Sequence, residues 1–355
     1  MGGREVAHRP FVSRTPLLIG FAVALGAGAV LALSAATGGR IHMLQSDGAS
    51  FAAIARDPFG NASTLHGFQH GRWGIDGTAY RFGRITLPLA AWVLALGHAP
   101  ATTVTLPVVV AIGWGAAVAT ACELCVRYGR SVWLGLVVLA TPYTLMWLRT
   151  PHLVSESLVL ALVLASYLAW TDDRRGLARV LAAAVVLARE VSLLAFVPVV
   201  WRDVRRRGRV AVRDWSLVVV PYAAWCCWLR VRIGTFPFTD PAGSRRNALA
   251  LPFVGIARSY GGAVPAQALL ALAGALGTLV LGWYVWRERR WFPVRDGAIW
   301  MCAFVPCLGT SVWRLWVEVT RVVSVTQSLL LLAAVAGARV GARDAERERD
   351  QAAVA

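Results

Sequence analysis

A few charged residues stand within otherwise apolar stretches of this sequence. Glu156 begins a leucine-rich run, and the adjacent Arg189 and Glu190 are the only charged residues between Arg179 and Arg202. A charge surrounded by hydrocarbon is costly, so residues of this kind mark substrate pathways or ion-binding sites by default. The alternative is that Glu190 only neutralises an arginine of a neighbouring helix and thereby fixes packing.

Asp47 is a further candidate functional residue. It follows the first apolar run and precedes the amphipathic stretch from Phe51 to Phe59, so its carboxylate is expected at a membrane surface. The alternative is an N-cap, because an aspartate shortly before an apolar run commonly starts a helix.

Asp57 and Pro58 lie near the end of this amphipathic stretch. Pro58 is expected to end the short helix, because proline cannot continue it. His66 and His70 are four residues apart, but the glycines that follow each of them disfavour the helix that would bring them together.

The composition indicates that these residues belong to a membrane protein. The 355 residues are 57% hydrophobic and 15% charged, against about half and about a quarter in soluble domains. Apolar runs recur without period-2 alternation. This pattern predicts helices, in which the backbone N–H and C=O groups hydrogen-bond to one another. The fold predicted is an all-α polytopic bundle of about ten transmembrane helices, each matched to ~30 Å of hydrocarbon. Single helices are expected over residues 16–36, 104–125, 131–148, 264–286 and 296–312, among others.

The net charge of +17 comes from arginines in short segments between the apolar runs. This placement follows the positive-inside rule and does not form the basic face of a nucleic-acid-binding protein. It predicts a multi-pass protein of the plasma membrane with both termini in the cytoplasm, the bilayer as partner and no nucleic acid. Residues 1–341 are predicted to form one domain, and residues 342–355 a disordered cytoplasmic tail.

Two segments determine the predicted topology. Residues 37–98 are predicted to form a large extracytoplasmic loop with interfacial helices, in which the 13 residues from Ile85 to Gly97 are too few to span. The stretch from Leu177 to Trp201 has arginines beyond both ends. It is therefore predicted to be a hairpin of two short helices that meet near Arg189, and the alternative is one straight helix.

With this hairpin, polar residues converge on the predicted outer face. Arginines on that face can contact phosphate oxygens through paired hydrogen bonds. The residues placed there are Asp47, Asp57, Arg149, Glu156, Arg189, Glu190, Arg245, Arg246, Glu318 and Arg321.

Two longer motifs lie in the predicted outer loop. They read Asp47-Gly48-x-x-Phe51-x-x-Ile54-Ala55-Arg56-Asp57-Pro58-Phe59 and Tyr80-Arg81-Phe82-x-Arg84-Ile85-x-x-Pro88-Leu89-x-x-Trp92. Together with the stretch from Arg149 to Glu156, with Leu187-Ala188-Arg189-Glu190 and with Arg321 before the last apolar run, they resemble a bacterial family of GT-C-like membrane proteins. The chain departs from many members in having Ser46 and Ala49 where those have an aromatic residue and glutamine.

This resemblance implies an inverting glycosyltransferase with a polyprenyl-phosphate-linked sugar as donor and an extracytoplasmic envelope glycan or lipid as acceptor. GT-C enzymes, such as the GPI and protein O-mannosyltransferases, carry an aspartate in the first extracytoplasmic loop. Asp47 matches that position and would be the general base that deprotonates the acceptor hydroxyl. Some of these enzymes use Mg²⁺ or Mn²⁺, so the resemblance implies that Asp57 could bind such an ion together with Asp47 through oxygen ligands. The alternative is that Pro58 only ends the helix. The substrate-binding residues expected here are Arg321, Arg245, Arg246, Glu156, Arg189, Glu190 and Arg149.

Two other functions fit the same pattern of residues. A transporter or flippase of a lipid-linked or anionic substrate would use Arg189 and Glu190 as a site at the membrane midplane. A non-catalytic assembly protein of the same fold would use Asp47 only as a helix cap. A pocket centred on Asp47 at the outer interface favours the enzyme, and internal structural symmetry favours the transporter.

Overall fold

The computed structural model of the chain describes residues 11–37, 43–44, 47–61, 78–239, 251–259, 266–308, 310–313 and 316–339. Most of these residues lie in helices, and the described part contains a single pair of two-residue strands, β1 (Arg289–Arg290) and β2 (Ala338–Arg339). The predicted all-α fold class is therefore confirmed. The predicted tail, residues 342–355, lies outside the described residues.

The described α-helices are named in chain order. They are α1 (Arg14–Ala36), α2 (Gly48–Arg56), α3 (Thr78–Phe82), α4 (Thr86–Leu94), α5 (Thr102–Arg127), α6 (Pro142–Arg149), α7 (Glu156–Thr171), α8 (Arg175–Ala188), α9 (Val197–Arg207), α10 (Arg209–Ile233), α11 (Val254–Ser259), α12 (Ala266–Glu288), α13 (Val294–Cys302), α14 (Thr310–Trp313) and α15 (Trp316–Ala336). Short 3₁₀ segments cover Ala99–Ala101, Val132–Leu139, Glu190–Phe196 and Val305–Cys307.

Five of these helical stretches are long and apolar enough to cross a membrane: α1, the continuous stretch Ala99–Arg127, α10, α12 from Leu269 and α15 from Glu318. Large apolar side chains of α1 and α12 face outward, including Leu18 and Phe21, which are 59% and 62% exposed. Apolar surface of this extent indicates a lipid environment.

Two of the expected single helices are interrupted, and the described residues contain five helices of membrane length where about ten are predicted. Residues 131–148 form a 3₁₀ segment and α6, which meet at 69°. Pro142 opens α6, and the hydroxyl of Thr141 accepts a hydrogen bond from the backbone N–H of Thr144. Residues 296–312 are likewise divided into α13, a 3₁₀ segment that contains Pro306, and α14. Proline lacks the N–H that a continuous helix needs and favours a break at these positions, although Pro107 and Pro221 lie inside the continuous helices α5 and α10.

Contacts among basic linkers define one end of the bundle, here called the basic end. Arg127 at the end of α5 donates to the backbone carbonyl of Phe11 at 3.0 Å and also pairs with Asp172 after α7. Arg130 reaches the carbonyl of Ala336, the last residue of α15, at 3.0 Å. The starts and ends of at least four helices therefore meet at this end.

The stretch from Leu177 to Trp201 reverses direction and is not one straight helix. Helix α8 ends before Arg189, whose backbone is extended, and a 3₁₀ segment then leads into α9. Arg175 at the start of α8 lies 3.3 Å from Asp203 near the end of α9. Both ends of this segment are therefore at the basic end, and the break at Arg189 lies at the opposite end.

Small residues allow α1 and α5 to pack closely. A Cβ atom at Gly20 would lie 2.5 Å from the carbonyl oxygen of Gly115, and a Cβ at Gly115 would lie 2.5 Å from the carbonyl of Gly20. Only glycine fits at both positions. Helices in lipid gain little from burying apolar area, so close backbone contact of this kind is a main source of their association.

Candidate functional site: an arginine–carboxylate cluster

Asp47 lies at the N-terminus of α2, but its side chain does not cap that helix. It is 3% exposed and contacts three arginines. Asp47 Oδ2 lies 2.7 Å from Arg321 Nη1 and 3.3 Å from Arg84 Nη1, and Oδ1 contacts Arg81. The cap interpretation of the Asp47 side chain is therefore wrong.

Helix α3 supplies Arg81, and Arg84 follows two residues after its end. Its position is set by Phe82, which is fully buried against Ile54 and Leu229 and whose backbone carbonyl accepts a hydrogen bond from Trp225 Nε1 at 2.8 Å. With Phe82 turned inward, the side chains of Arg81 and Arg84 reach Asp47.

Tyr80 supports the second of these arginines. The guanidinium of Arg84 donates to the Tyr80 hydroxyl at 2.5 Å and lies 4.6 Å from the centre of its ring. Burial, together with the guanidinium groups of Arg84 and Arg321, lowers the pKa of Arg81. The lowered pKa of Arg81 reflects first the burial of its guanidinium and then the two neighbouring cations.

Arg321 connects the cluster to α15. In addition to Asp47, it contacts Glu318 one turn earlier at 2.6 Å and Glu156 at the start of α7 at 3.7 Å. Helices α2, α7 and α15 thus meet at the guanidinium of Arg321. A guanidinium can bridge several carboxylates because it carries five N–H donors.

Glu156 and Arg189 form the most buried pair. Arg189 Nη1 donates to Glu156 Oε1 at 2.8 Å, and the two side chains are 7% and 4% exposed. Arg189 occupies the break between α8 and the 3₁₀ segment, where the chain turns. Glu190, which follows it, points to Arg84 at 3.7 Å. This ion pair with an arginine of a neighbouring element is a contact that the packing alternative expects, and the substrate-binding role of Glu190 stays a prediction.

The arginine–carboxylate cluster is balanced in charge. Its four cations and four anions are Arg81, Arg84, Arg189, Arg321, Asp47, Glu156, Glu190 and Glu318. The cluster lies at the end of the bundle opposite the basic end. An array of guanidinium groups with little access to water is suited to binding a phosphate.

Other predicted site residues lie apart from the cluster. Arg149, at the end of α6, is exposed and forms no ion pair with any described residue. Arg245 and Arg246 lie outside the described residues.

Asp57 also lies apart from the arginines. It follows α2, and its carboxylate accepts a hydrogen bond from the backbone N–H of Asn61. Among the described residues, no group of three or more histidine, cysteine, aspartate or glutamate side chains could hold a metal ion. His66 and His70 are outside the described part of the chain, and the expectation of Mg²⁺ or Mn²⁺ stays a prediction.

In comparisons with protein families, with curated proteins and with solved structures, no match to this chain was found. Function is therefore inferred from the cluster itself.

Sequence reasoning did not assign Arg81 and Arg84 to the site, although both lie in a motif that it singled out. The sequence contained a signal for them, because arginines are depleted from extracytoplasmic segments and two lie in this predicted outer loop. Both pair with the carboxylate of Asp47, which explains their presence there.

Proposed function

We propose that the chain is an integral membrane glycosyltransferase, which transfers a sugar with inversion from a polyprenyl-phosphate donor to an extracytoplasmic envelope acceptor. The observation that carries this proposal is the contact of Asp47 with Arg321 at 2.7 Å. The contact places a carboxylate that can serve as base beside guanidinium groups that can bind the leaving phosphate. Transfer of a sugar from a lipid phosphate to a hydroxyl requires both groups.

The orientation in the membrane is part of the proposal. The arginines of the basic end face the cytoplasm in accordance with the positive-inside rule, so the cluster faces the other side. Broken segments such as the 3₁₀ segment with α6, and α8 with α9, then complete the approximately ten crossings that the sequence predicts. Non-helical backbone at membrane depth is tolerated where it is buried in protein.

Five residues of the cluster have a role in this mechanism. Asp47 accepts the proton of the acceptor hydroxyl, while Arg321 and Arg84 stabilise the negative charge that develops on the departing phosphate. Glu156 and Arg189 keep Arg321 in place from the buried side.

Asp47 is held by three guanidinium groups in the free protein, and their positive charge disfavours uptake of a proton. The donor phosphate binds the same guanidinium groups while Asp47 stays in contact with them. The negative charge of the phosphate offsets part of their positive charge, so the carboxylate accepts a proton more readily. The donor is therefore expected to bind before the acceptor, so that the base becomes active only when a sugar is present.

The test is transfer by the purified full chain in proteoliposomes that contain a polyprenyl-phosphate-linked sugar labelled in the sugar. The proposal predicts a labelled product on the acceptor, with inverted anomeric configuration. Movement of the labelled lipid across the bilayer without formation of product would contradict the proposal and favour the transporter alternative.

A further inference from the structure

Arg321 and Arg84 have the same arrangement of partners. Each contacts Asp47 and, in addition, a glutamate: Glu318 lies 2.6 Å from Arg321, and Glu190 lies 3.7 Å from Arg84. The inner carboxylate of Asp47 is 4% exposed, whereas Glu318 and Glu190 are 24% and 34% exposed. The two glutamates are thus the partners that reach solvent.

The buried part of the cluster carries an excess of positive charge. Four arginine side chains are 16% exposed or less, and they face only two carboxylates of similar burial, Asp47 and Glu156. Glu190 and Glu318 supply the two missing negative charges. The Nε atoms of Arg81, Arg84 and Arg321 are buried and have no hydrogen-bond partner among the described residues, so donors remain unused.

We infer that Glu190 and Glu318 hold the place of a ligand's anion: a phosphate group with two negative charges displaces both glutamates from Arg84 and Arg321. Asp47 and Glu156 stay, because removing a buried carboxylate from its arginines leaves an uncompensated charge. The displaced glutamates move into water, which restores their hydration at little cost. The phosphate gains the paired contacts that guanidinium groups offer.

This inference rests on the proposed function only in taking the ligand to be a lipid phosphate. Two groups carry the required charge: a lipid phosphate monoester, which is what transfer of the sugar leaves behind, and a lipid diphosphate. A phosphodiester carries one negative charge and can replace only one of the glutamates.

The experiment is a binding titration of the purified full chain in detergent at pH 8. The probes are farnesyl monophosphate, farnesyl diphosphate and the methyl diester of farnesyl phosphate. The variants are Glu318→Gln, Glu190→Gln and the double variant, which keep hydrogen bonding but remove the competing charge. Glu288→Gln is the matched control, because Glu288 is 49% exposed and pairs with Arg287 at the basic end.

Each single variant is expected to bind the monophosphate about threefold to tenfold more tightly than the wild-type chain, the effect of removing one partly exposed competing ion pair. The double variant is expected to bind more tightly still, and the control to behave as wild type. The diester is expected to bind the wild-type chain more weakly than the monoester.

Unchanged or weaker binding in both Glu318→Gln and Glu190→Gln would overturn the inference, because the glutamates would then only position the arginines. Equal affinity for diester and monoester, or no binding of any probe, would also overturn it. Tighter binding in the variants combined with no sugar transfer by the wild-type chain would leave the inference standing and remove the proposed function alone.

Discussion

Asp47 and Arg321 are 274 positions apart in the chain, and their side chains meet at 2.7 Å. The contact joins the helix that follows the first apolar segment to the last long helix, and both side chains are buried. These two buried charges therefore hold α2 against α15, because separating them would require a large free energy.

Replacing Arg321 is expected to affect both binding and folding. Arg321→Ala leaves Asp47 and Glu318 without this partner, so we expect a loss of about 3–5 kcal/mol in the free energy of unfolding and no binding of farnesyl monophosphate. Arg321→Lys is expected to recover only part of the binding, because an ammonium lacks the guanidinium fork. Thermal unfolding and titration in detergent measure both effects, with the exposed Arg287→Ala as control. Wild-type binding in Arg321→Ala would remove Arg321 from the site.

The pair of Glu156 and Arg189 is expected to show strong energetic coupling. Either Glu156→Gln or Arg189→Met alone leaves one buried charge without its partner. Each single variant is expected to lower the free energy of unfolding by about 3–5 kcal/mol. The double variant removes both charges and is expected to cost clearly less than the sum of the single variants. A double-mutant cycle from denaturant unfolding measures the coupling. Additive effects would show that the contact at 2.8 Å has no energetic role.

The crossing of α1 and α5 is expected to be sensitive to side-chain size. In Gly20→Leu the new side chain would collide with the backbone of Gly115, so we expect about 1–3 kcal/mol of destabilisation. Gly26→Leu is the matched control, because nothing lies within 4 Å of a Cβ atom there. A lower unfolding temperature in Gly20→Leu alone is the expected result, and equal temperatures would rule out close packing at this crossing.

Labelling of single cysteines tests the orientation. Asp173→Cys and Arg206→Cys are expected to react with a membrane-impermeant reagent only from the cytoplasmic side, and Thr37→Cys only from the outside, because α8 and α9 return to the basic end. Cys227 and Cys307 are first replaced by serine, since the other four cysteines are buried. Labelling of residues 173 and 206 from opposite sides would contradict the reversal at Arg189.

The sequence was sufficient for the elements whose apolar runs are long and uninterrupted. Helices α1, α5 and α12 lie where the runs predict them, because a span of hydrocarbon length leaves few alternatives to a helix. The reversal near Arg189 was also predictable, since arginines stood at both ends of the stretch. The breaks before α6 and α14 were missed, although Pro142 and Pro306 were visible in the runs.

The composition of the site was less predictable. The sequence indicated Asp47, Glu156 and Arg321, because charges are rare near apolar runs. The partner of each charge depends on how distant helices pack, and the sequence carries little information about that. Arg189 pairs with Glu156 and not with the adjacent Glu190, because successive residues at an extended break point in different directions.

The proton-accepting role of Asp47 is tested most directly by Asp47→Asn in the transfer assay, with rates expressed per folded protein. Asparagine keeps the size of the side chain but cannot accept the proton. We expect transfer to fall by about 10²- to 10⁴-fold, as for loss of a general base. Asp47→Glu, which keeps the carboxylate, is expected to retain more activity, and Asp173→Asn is the control, since Asp173 is 80% exposed at the basic end. A wild-type transfer rate in Asp47→Asn would contradict the catalytic assignment of Asp47.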